Sequence, residues 1–297
     1  MAVGREFVPV MSIPRAIQQN VSLKKYNSWQ VGGAADYFAE PKTIDELKEI
    51  YLWAENQQIP VTVLGGGSNI LISDKGILGL VLFLRHFAQH SIDESDPKFL
   101  RITIGAGANK TDALKLFLKY NLAPSLFLTG LPGNIAGGVV MNAGVSEDRT
   151  PKEFCEIVEW IDVLKVENKK AKIVTVPTEN IAWGYRNSKG WQPGIIIKVG
   201  LKWPMNPDPD IRNKIKAATK HRTQKQPLNL PNCGSTFRNP KGERAGQLID
   251  SCGLKGFRVG KAEVSTKHAN FIVTYPGAKA ADVDAVVKYV QQEVWKQ

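Results

Sequence analysis

The stretch "VLGGGSNILISD", Val63 to Asp74, follows a buried-strand pattern, "IPVTVL" (59–64), and its reading decides the fold. Three consecutive glycines straight after a strand let backbone amides approach a bound phosphate closely, and Ser68 and Asn69 add side-chain donors. The spacing is not the Gly-x-Gly-x-x-Gly dinucleotide fingerprint, and no Gly-Lys-Ser/Thr follows to make a phosphate loop. Alone, the triplet reads equally well as a tight turn. A second glycine-rich stretch, "LTGLPGNIAGGVVMNAG" (128–144), surrounds a proline. Each glycine inside a helix costs roughly 1 kcal/mol against alanine, so this stretch is expected as a backbone-led ligand loop or a tight packing crossover. Two such loops at strand ends point together to a cofactor that carries a diphosphate.

The bulk composition narrows the classes. A chain of 297 residues suffices for one large domain or a few small ones. No apolar run approaches the roughly 18 residues of a membrane span, and the proline-broken start has no core for a secretory signal, so the expectation is a cytoplasmic protein. The three cysteines form no Cys-x-x-Cys pair and the four histidines have no metal-ligand spacing, so neither a disulfide framework nor a metal site is expected. The net charge of +11 attracts anions, either nucleic acid or small phosphorylated ligands. Its densest cluster, "RNKIKAATKHRTQK" (212–225), lacks the interleaved aromatics of a nucleic-acid module. It reads as a solvated basic helix or as a funnel towards a diphosphate.

Along the chain, residues 1–20 read as an arm. "TIDELKEIYLWAENQQ" is a helix with Thr43 and Glu46 as capping box and Ile44, Leu47, Ile50 and Tyr51 on one face. "ILIS" (70–73), "GLVLFLR" (79–85) and "FLRITIGAG" (99–107) read as extended, and "NKTDALKLFLKYNL" (109–122) as a helix with Leu114, Phe117 and Leu118 inward. Three further strands, "EIVEWIDVLKVE", "AKIVTVP" and "GIIIKVGLKW", read as a meander, and "KWPMNPDPD" (202–210) as a linker. Beyond it come the basic helix, the loop "NLPNCGSTFRNP" (229–240), a helix in "RAGQLIDSCGL", a strand in "HANFIVTY" and a last helix striped by Val283, Val286, Val287, Val290 and Val294. Ser235 in that loop has no base beside it and no Gly-x-Ser-x-Gly elbow, so it is not a nucleophile by local pattern, and a polar turn is the plain reading.

Seven blocks, "KYNSWQVGGAADYFAEP", "VLGGGSNILISD", "GLPGNIAGGVVMNAG", "AWGYRNS", "CGSTFRNP", "AGQLIDSCGLKGFRVGKAEVS" and "KHANFIV", occur in an order and spacing that resembles the UDP-N-acetylenolpyruvoylglucosamine reductase family. The resemblance runs from about Lys25 to the end, in the compact form that lacks the tyrosine-bearing insertion. It implies an α+β fold: a two-subdomain FAD-binding unit of the vanillyl-alcohol oxidase/PCMH type, followed by a smaller α+β substrate domain. The boundaries it suggests are 1–20 for the arm, 21–202 for the FAD-binding domain (subdomains about 21–85 and 86–202) and 203–297 for the substrate domain.

The activity implied is NADPH-dependent, flavin-mediated reduction of UDP-N-acetylglucosamine enolpyruvate to UDP-N-acetylmuramate, a peptidoglycan precursor, by a monomer acting on a nucleotide-sugar. By resemblance, Gly65, Gly66, Gly67, Ser68 and Asn69 cradle the diphosphate of non-covalent FAD, and Gly133, Gly137, Gly138 and Asn142 lie along the cofactor. Ser235 is implied as proton donor to a carbanion and Arg186 as the holder of the substrate carboxylate. Tyr185, Arg222, Gln226, Asn239 and His268 are implied as substrate contacts.

Two departures stand out. The second loop reads Asn-Ile-Ala-Gly-Gly where the family has Thr-Val-Gly-Gly-Ala, so a glycine has moved by two positions, and "APSLFL" replaces Gly-Leu-Glu upstream. The family also carries a catalytic glutamate in a Leu-x-Pro-Glu segment after the last helix. The sequence ends at Gln297, so an active form is expected to extend beyond it. The other readings are a different FAD oxidoreductase of the same cofactor fold, a non-catalytic flavin or nucleotide-binding protein lacking that acid, and, on charge alone, a nucleic-acid binder.

Overall fold

The computed structural model describes residues 12–145 and 150–297. Its first sheet is built from β1 (Ile17–Ser22), β2 (Ala34–Ala39), β3 (Val61–Leu64) and β4 (Ile77–Phe83) in the order β1-β2-β4-β3. β4 pairs in parallel with both β2 and β3, so β2 and β3 need a crossover, and α1 (Ile44–Asn56) supplies it. Thr43 caps α1 by accepting from the Glu46 amide at 3.2 Å, while the Glu46 carboxylate reaches back to the Lys42 amide rather than to Thr43. Leu47 and Ile50 are fully buried beneath it, as the stripe predicts. The arm is shorter than expected, because Ile17 is buried and pairs with Ala39, which draws residues 17–20 into the sheet. The expected extension at 70–73 forms no strand. Ile72 is buried there beside Leu23 and Phe38, and the Ser73 carbonyl accepts from the Gly33 amide at 2.8 Å, so loop contacts replace a ladder.

The second sheet contains β5 (His90–Asp93), β6 (Phe99–Gly105), β7 (Val158–Glu167) and β8 (Lys170–Pro177). A two-stranded ribbon, β9 (Ala182–Gly184) and β10 (Asn187–Lys189), precedes its fifth strand, β11 (Ile195–Pro204). The order is β5-β6-β11-β7-β8, which is not the simple meander expected. β11 buries Ile195, Ile196, Ile197, Val199 and Leu201, and a strand apolar on both faces belongs at the centre of a sheet. Three helices follow β6: α2 (Lys110–Lys119), α3 (Pro124–Leu128) and α4 (Ile135–Val140). α4 is a correction, since the glycine-rich stretch was expected to exclude a helix. The Asn134 side chain caps it by accepting from the Gly137 amide at 3.0 Å. A Cβ on Gly138 would run into the Phe154 ring, so the absent side chain becomes close packing against a fully buried aromatic.

β11 continues to Pro204, which narrows the linker to residues 205–210 before α5 (Ile211–Lys225). The remaining elements are β12 (Asn232–Ser235), α6 (Ala245–Ser251), β13 (Arg258–Val259), β14 (Ala262–Val264), β15 (Phe271–Thr274) and α7 (Ala280–Lys296). They form an antiparallel sheet ordered β12-β15-β14-β13, with α7 packing Val283, Val286 and Val290 onto it. Two anchors from the first sheet's loops fix this domain. Trp29 enters its core and donates from Nε1 to the Ile272 carbonyl at 2.8 Å. Asp74 caps α7 from outside, accepting from the Ala280 and Ala281 amides at 2.8 and 2.9 Å. No helix among the described residues is long and apolar enough to cross a membrane.

Candidate active site

The turn after β3 cannot carry side chains. Gly67 has φ +64, and a Cβ there would collide with the Tyr26 carbonyl. Gly66 lies against the second glycine-rich loop, where an added Cβ would sit 2.7 Å from Gly133 Cα. Both loops therefore meet backbone to backbone at the floor of a cleft of about 690 Å³, a size typical of ligand pockets. Among the described residues, the amides of Gly66, Gly67, Ser68, Asn69, Gly133 and Asn134 donate to no protein acceptor. A wall of open amides is a cradle for an oxyanion. The residues present therefore fit a diphosphate.

The opposite wall comes from the C-terminal domain. Ser235 ends β12, paired with Phe271 across a register irregularity, and its hydroxyl has no protein partner among the described residues. The segment after it is clamped by the buried Asn270. That residue accepts from the Thr236 amide through its carbonyl and from the Phe237 amide through Oδ1, at 2.9 and 2.8 Å, and donates from Nδ2 to the Phe237 carbonyl at 2.9 Å. Cys233 binds this wall to the glycine turn through weak donations to the carbonyls of Gly67 and Ile70, at 3.6 and 3.7 Å. Burial pushes its thiol up to about 11, so it stays protonated and unreactive.

Arg186 arrives on the tip of the β9–β10 ribbon. Gly184 pairs with Asn187, leaving Tyr185 and Arg186 as the two turn residues, and Arg186 has φ +58. A non-glycine residue in this region costs about 1–3 kcal/mol, which the tight turn imposes on Arg186. The turn sets the guanidinium to donate to the Gly144 carbonyl at 2.9 Å, 3.6 Å from the Glu153 carboxylate and 4.9 Å from the Tyr185 ring centroid. Arg238 donates to the Arg186 carbonyl at 3.4 Å, which joins the two walls.

Of the residues expected at the site, Gly65 to Asn69, Gly133, Gly137, Tyr185, Arg186, Arg222, Gln226, Ser235 and Asn239 line this one cleft. Arg222 and Gln226 bond each other at the mouth, where Arg222 also donates to the Thr129 carbonyl at 3.3 Å. Asn239 lines it with its Oδ1 already accepting from the Ala245 amide at 3.1 Å. Three expected residues lie outside the lining. Gly138 packs on Phe154. Asn142 is buried and bonded to Glu153, the Gly184 carbonyl and the Cys155 amide, which ties it to the ribbon. His268 sits beside Phe271 with Nδ1 accepting from the Asn270 amide at 3.2 Å, and burial, followed by Lys255, lowers its pKa. Sequence reasoning missed Lys110, Arg238 and Asn270, all in the lining. Lys110 was visible in principle, since it shares the apolar stripe of α2 with Ala113 and Phe117. No group of three His, Cys, Asp or Glu side chains among the described residues is placed to hold a metal ion.

Fold and cleft together define a flavoprotein: an α+β cofactor unit with open amides, faced by a smaller domain that brings side chains. The FAD binding domain model matches residues 35–172, and the model of the C-terminal domain of UDP-N-acetylenolpyruvoylglucosamine reductase matches residues 226–297. The reductase of that name from Synechococcus sp. (strain WH7803) is 34% identical over 99% of this chain and 93% of its own length. That from Latilactobacillus sakei is 32% identical over 94% and 88%. The crystal structure of the reductase MurB from Thermus caldophilus superposes with a TM-score of 0.76 at 32% identity, covering 93% of this chain and 94% of its own. The chain belongs to the UDP-N-acetylenolpyruvoylglucosamine reductase family.

Proposed function

We infer that this protein reduces the enolpyruvyl ether of UDP-N-acetylglucosamine enolpyruvate to UDP-N-acetylmuramate at the expense of NADPH. One observation carries the reading: the partnerless Ser235 hydroxyl and the strained Arg186 turn line the same cleft as the open amides. Bound FAD supplies the hydride relay, from NADPH to the methylene carbon of the enolpyruvyl group. The amides of residues 66–69 hold its diphosphate, and Gly66 and Gly133 keep that approach clear of side chains. As hydride reaches the methylene carbon, negative charge builds on the neighbouring carbon and its carboxylate. Arg186 offers the carboxylate a fixed fork of donors, strongest as that charge develops. The Ser235 hydroxyl gives its proton to the carbon and needs no adjacent histidine, because the acceptor is strongly basic. Tyr185 flanks the carboxylate, Arg222 and Gln226 stand at the mouth for the nucleotide diphosphate, and Asn239 lines the sugar end.

Anaerobic reduction tests the assignment. NADPH should bleach the flavin of the purified protein, and added enolpyruvyl substrate should restore its colour. A flavin that bleaches but is not restored would leave a different oxidoreductase of the same cofactor fold, or a protein lacking the family's C-terminal acid. A protein that binds flavin without bleaching would be a non-catalytic carrier.

A further inference from the structure

The cleft contains a cation that the family reading does not assign. Lys110 opens α2 and is only 5% exposed, although it is a lysine. Its ammonium donates to the Pro132 carbonyl at 2.8 Å and lies 5.5 Å from the centroid of the Phe154 ring. An ammonium has three donors, so two remain without a protein acceptor among the described residues. No carboxylate among them lies within ion-pair distance. Burial first, and Arg186 second, pull its pKa down to about 8. A charge kept under these conditions at a ligand cleft calls for an anion brought by the ligand.

Position identifies that anion. A Cβ on Gly133 would lie 2.8 Å from Ser68 Oγ and 3.9 Å from Lys110 Nζ. The space above Gly133 is thus walled by a hydroxyl, an ammonium and the open amides of the first glycine loop. Its occupant must accept several hydrogen bonds and carry negative charge, which a diphosphate does and an aromatic ring does not. We propose that Lys110 is a cofactor-contact residue whose ammonium pairs with the diphosphate of bound FAD where the two glycine loops meet. The glycine at 138 belongs to the same arrangement, since it admits the Phe154 ring that lies under the ammonium. The proposal rests on the flavoprotein reading above.

The groups that bear on Lys110 are few. Arg186 on the ribbon disfavours its charge, Glu153 beside the Phe154 turn is engaged with Arg186 and Asn142, and Asp112 on α2 accepts from the Asn109 amide. The flavin-free parent and Lys110→Met, which keeps the length without the charge, are titrated with FAD and with riboflavin, which has no diphosphate. The variant should bind FAD about ten- to hundredfold more weakly, as expected for a charged hydrogen bond, and riboflavin as the parent does. Unchanged FAD affinity, or equal loss for both flavins, overturns the proposal and leaves Lys110 as a brace for Pro132.

A second measurement needs no variant. At pH 9 the ammonium is mostly deprotonated before the ligand arrives and becomes charged beside a diphosphate. Calorimetry in two buffers of different ionisation heat should show the parent taking up close to one proton with FAD and none with riboflavin. Equal uptake with the two flavins, or none with either, overturns the proposal. A parent that binds neither flavin would overturn the flavoprotein reading as well, which separates the two failures.

Discussion

The two walls of the cleft are built by different means. The wall from the first sheet presents backbone amides, and its specificity comes from the absence of side chains at Gly66, Gly67 and Gly133. The C-terminal wall presents side chains, Ser235, Arg238 and Asn239, on a short strand and the loop beyond it. A diphosphate is the same in every cofactor molecule, so a wall of fixed amides suits it and needs no moving parts. A proton transfer needs one atom at one place, and only a side chain supplies it. Lys110 blurs the contrast, because it puts one side-chain charge into the backbone-led wall.

The contrast can be broken most sharply at Ser235. Ser235→Ala should leave flavin affinity and reduction by NADPH intact while slowing reoxidation by enolpyruvyl substrate about 100- to 10,000-fold, the usual range for a general acid. Stopped-flow traces of the reduced protein decide it, and equal rates would return Ser235 to a polar turn.

Lys110 should reveal itself in stability as well. Its folded pKa is depressed to about 8 from 10.5, so between those values the unfolded chain binds more protons and stability rises with pH. The flavin-free parent should gain up to about 3 kcal/mol across that window relative to Lys110→Met, measured by urea unfolding at stepped pH. Parallel stability curves for the two proteins would show that the ammonium is not desolvated.

Gly66→Ala probes the amide wall. The new Cβ, 2.7 Å from Gly133 Cα, must push two backbones apart, and overpacking of this kind costs about 1–3 kcal/mol. Flavin should be released, with fluorescence of free FAD rising as the variant is diluted. Retention of flavin at the parent's affinity would mean that the loops do not meet around the cofactor.

The smallest effect is expected at the seam that holds the walls together. Asp74→Ala removes the cap of α7 and should lower stability by about 0.5–2 kcal/mol in thermal or urea unfolding. Turnover of the folded fraction should be preserved. A loss of turnover without a loss of stability would move Asp74 from the seam into the chemistry.

Much of this architecture was legible before the structure. The α1 stripe, the valine face of α7 and the central strands β7 and β11 follow from apolar periodicity, because burial is a local demand on each segment. The close approach of the two glycine loops was legible, because only glycine permits that backbone and that contact. β1, β13 and β14 were not legible, being short segments whose extended form depends on a partner strand far along the chain. The expected meander failed for the same reason: β11 is placed by what its two faces bury, not by its neighbours in sequence.

The sequence by itself determined the local chemistry: open backbone at two turns, a hydroxyl in a polar loop, helices with one apolar face. It also determined the family, through seven blocks in one order. The tertiary structure alone decided which residues face the cleft. It tied Asn142 to the ribbon and set His268 beside Phe271, both outside the lining. It brought Asp74, the last residue of the opening stretch, to a helix more than two hundred residues away. It buried Lys110 on an apolar stripe, where a lysine ordinarily reads as solvent-facing. The physical reason is common to all of these. Hydrogen bonds and charges take their meaning from the groups around them, and those groups are assembled by packing across distant parts of the chain.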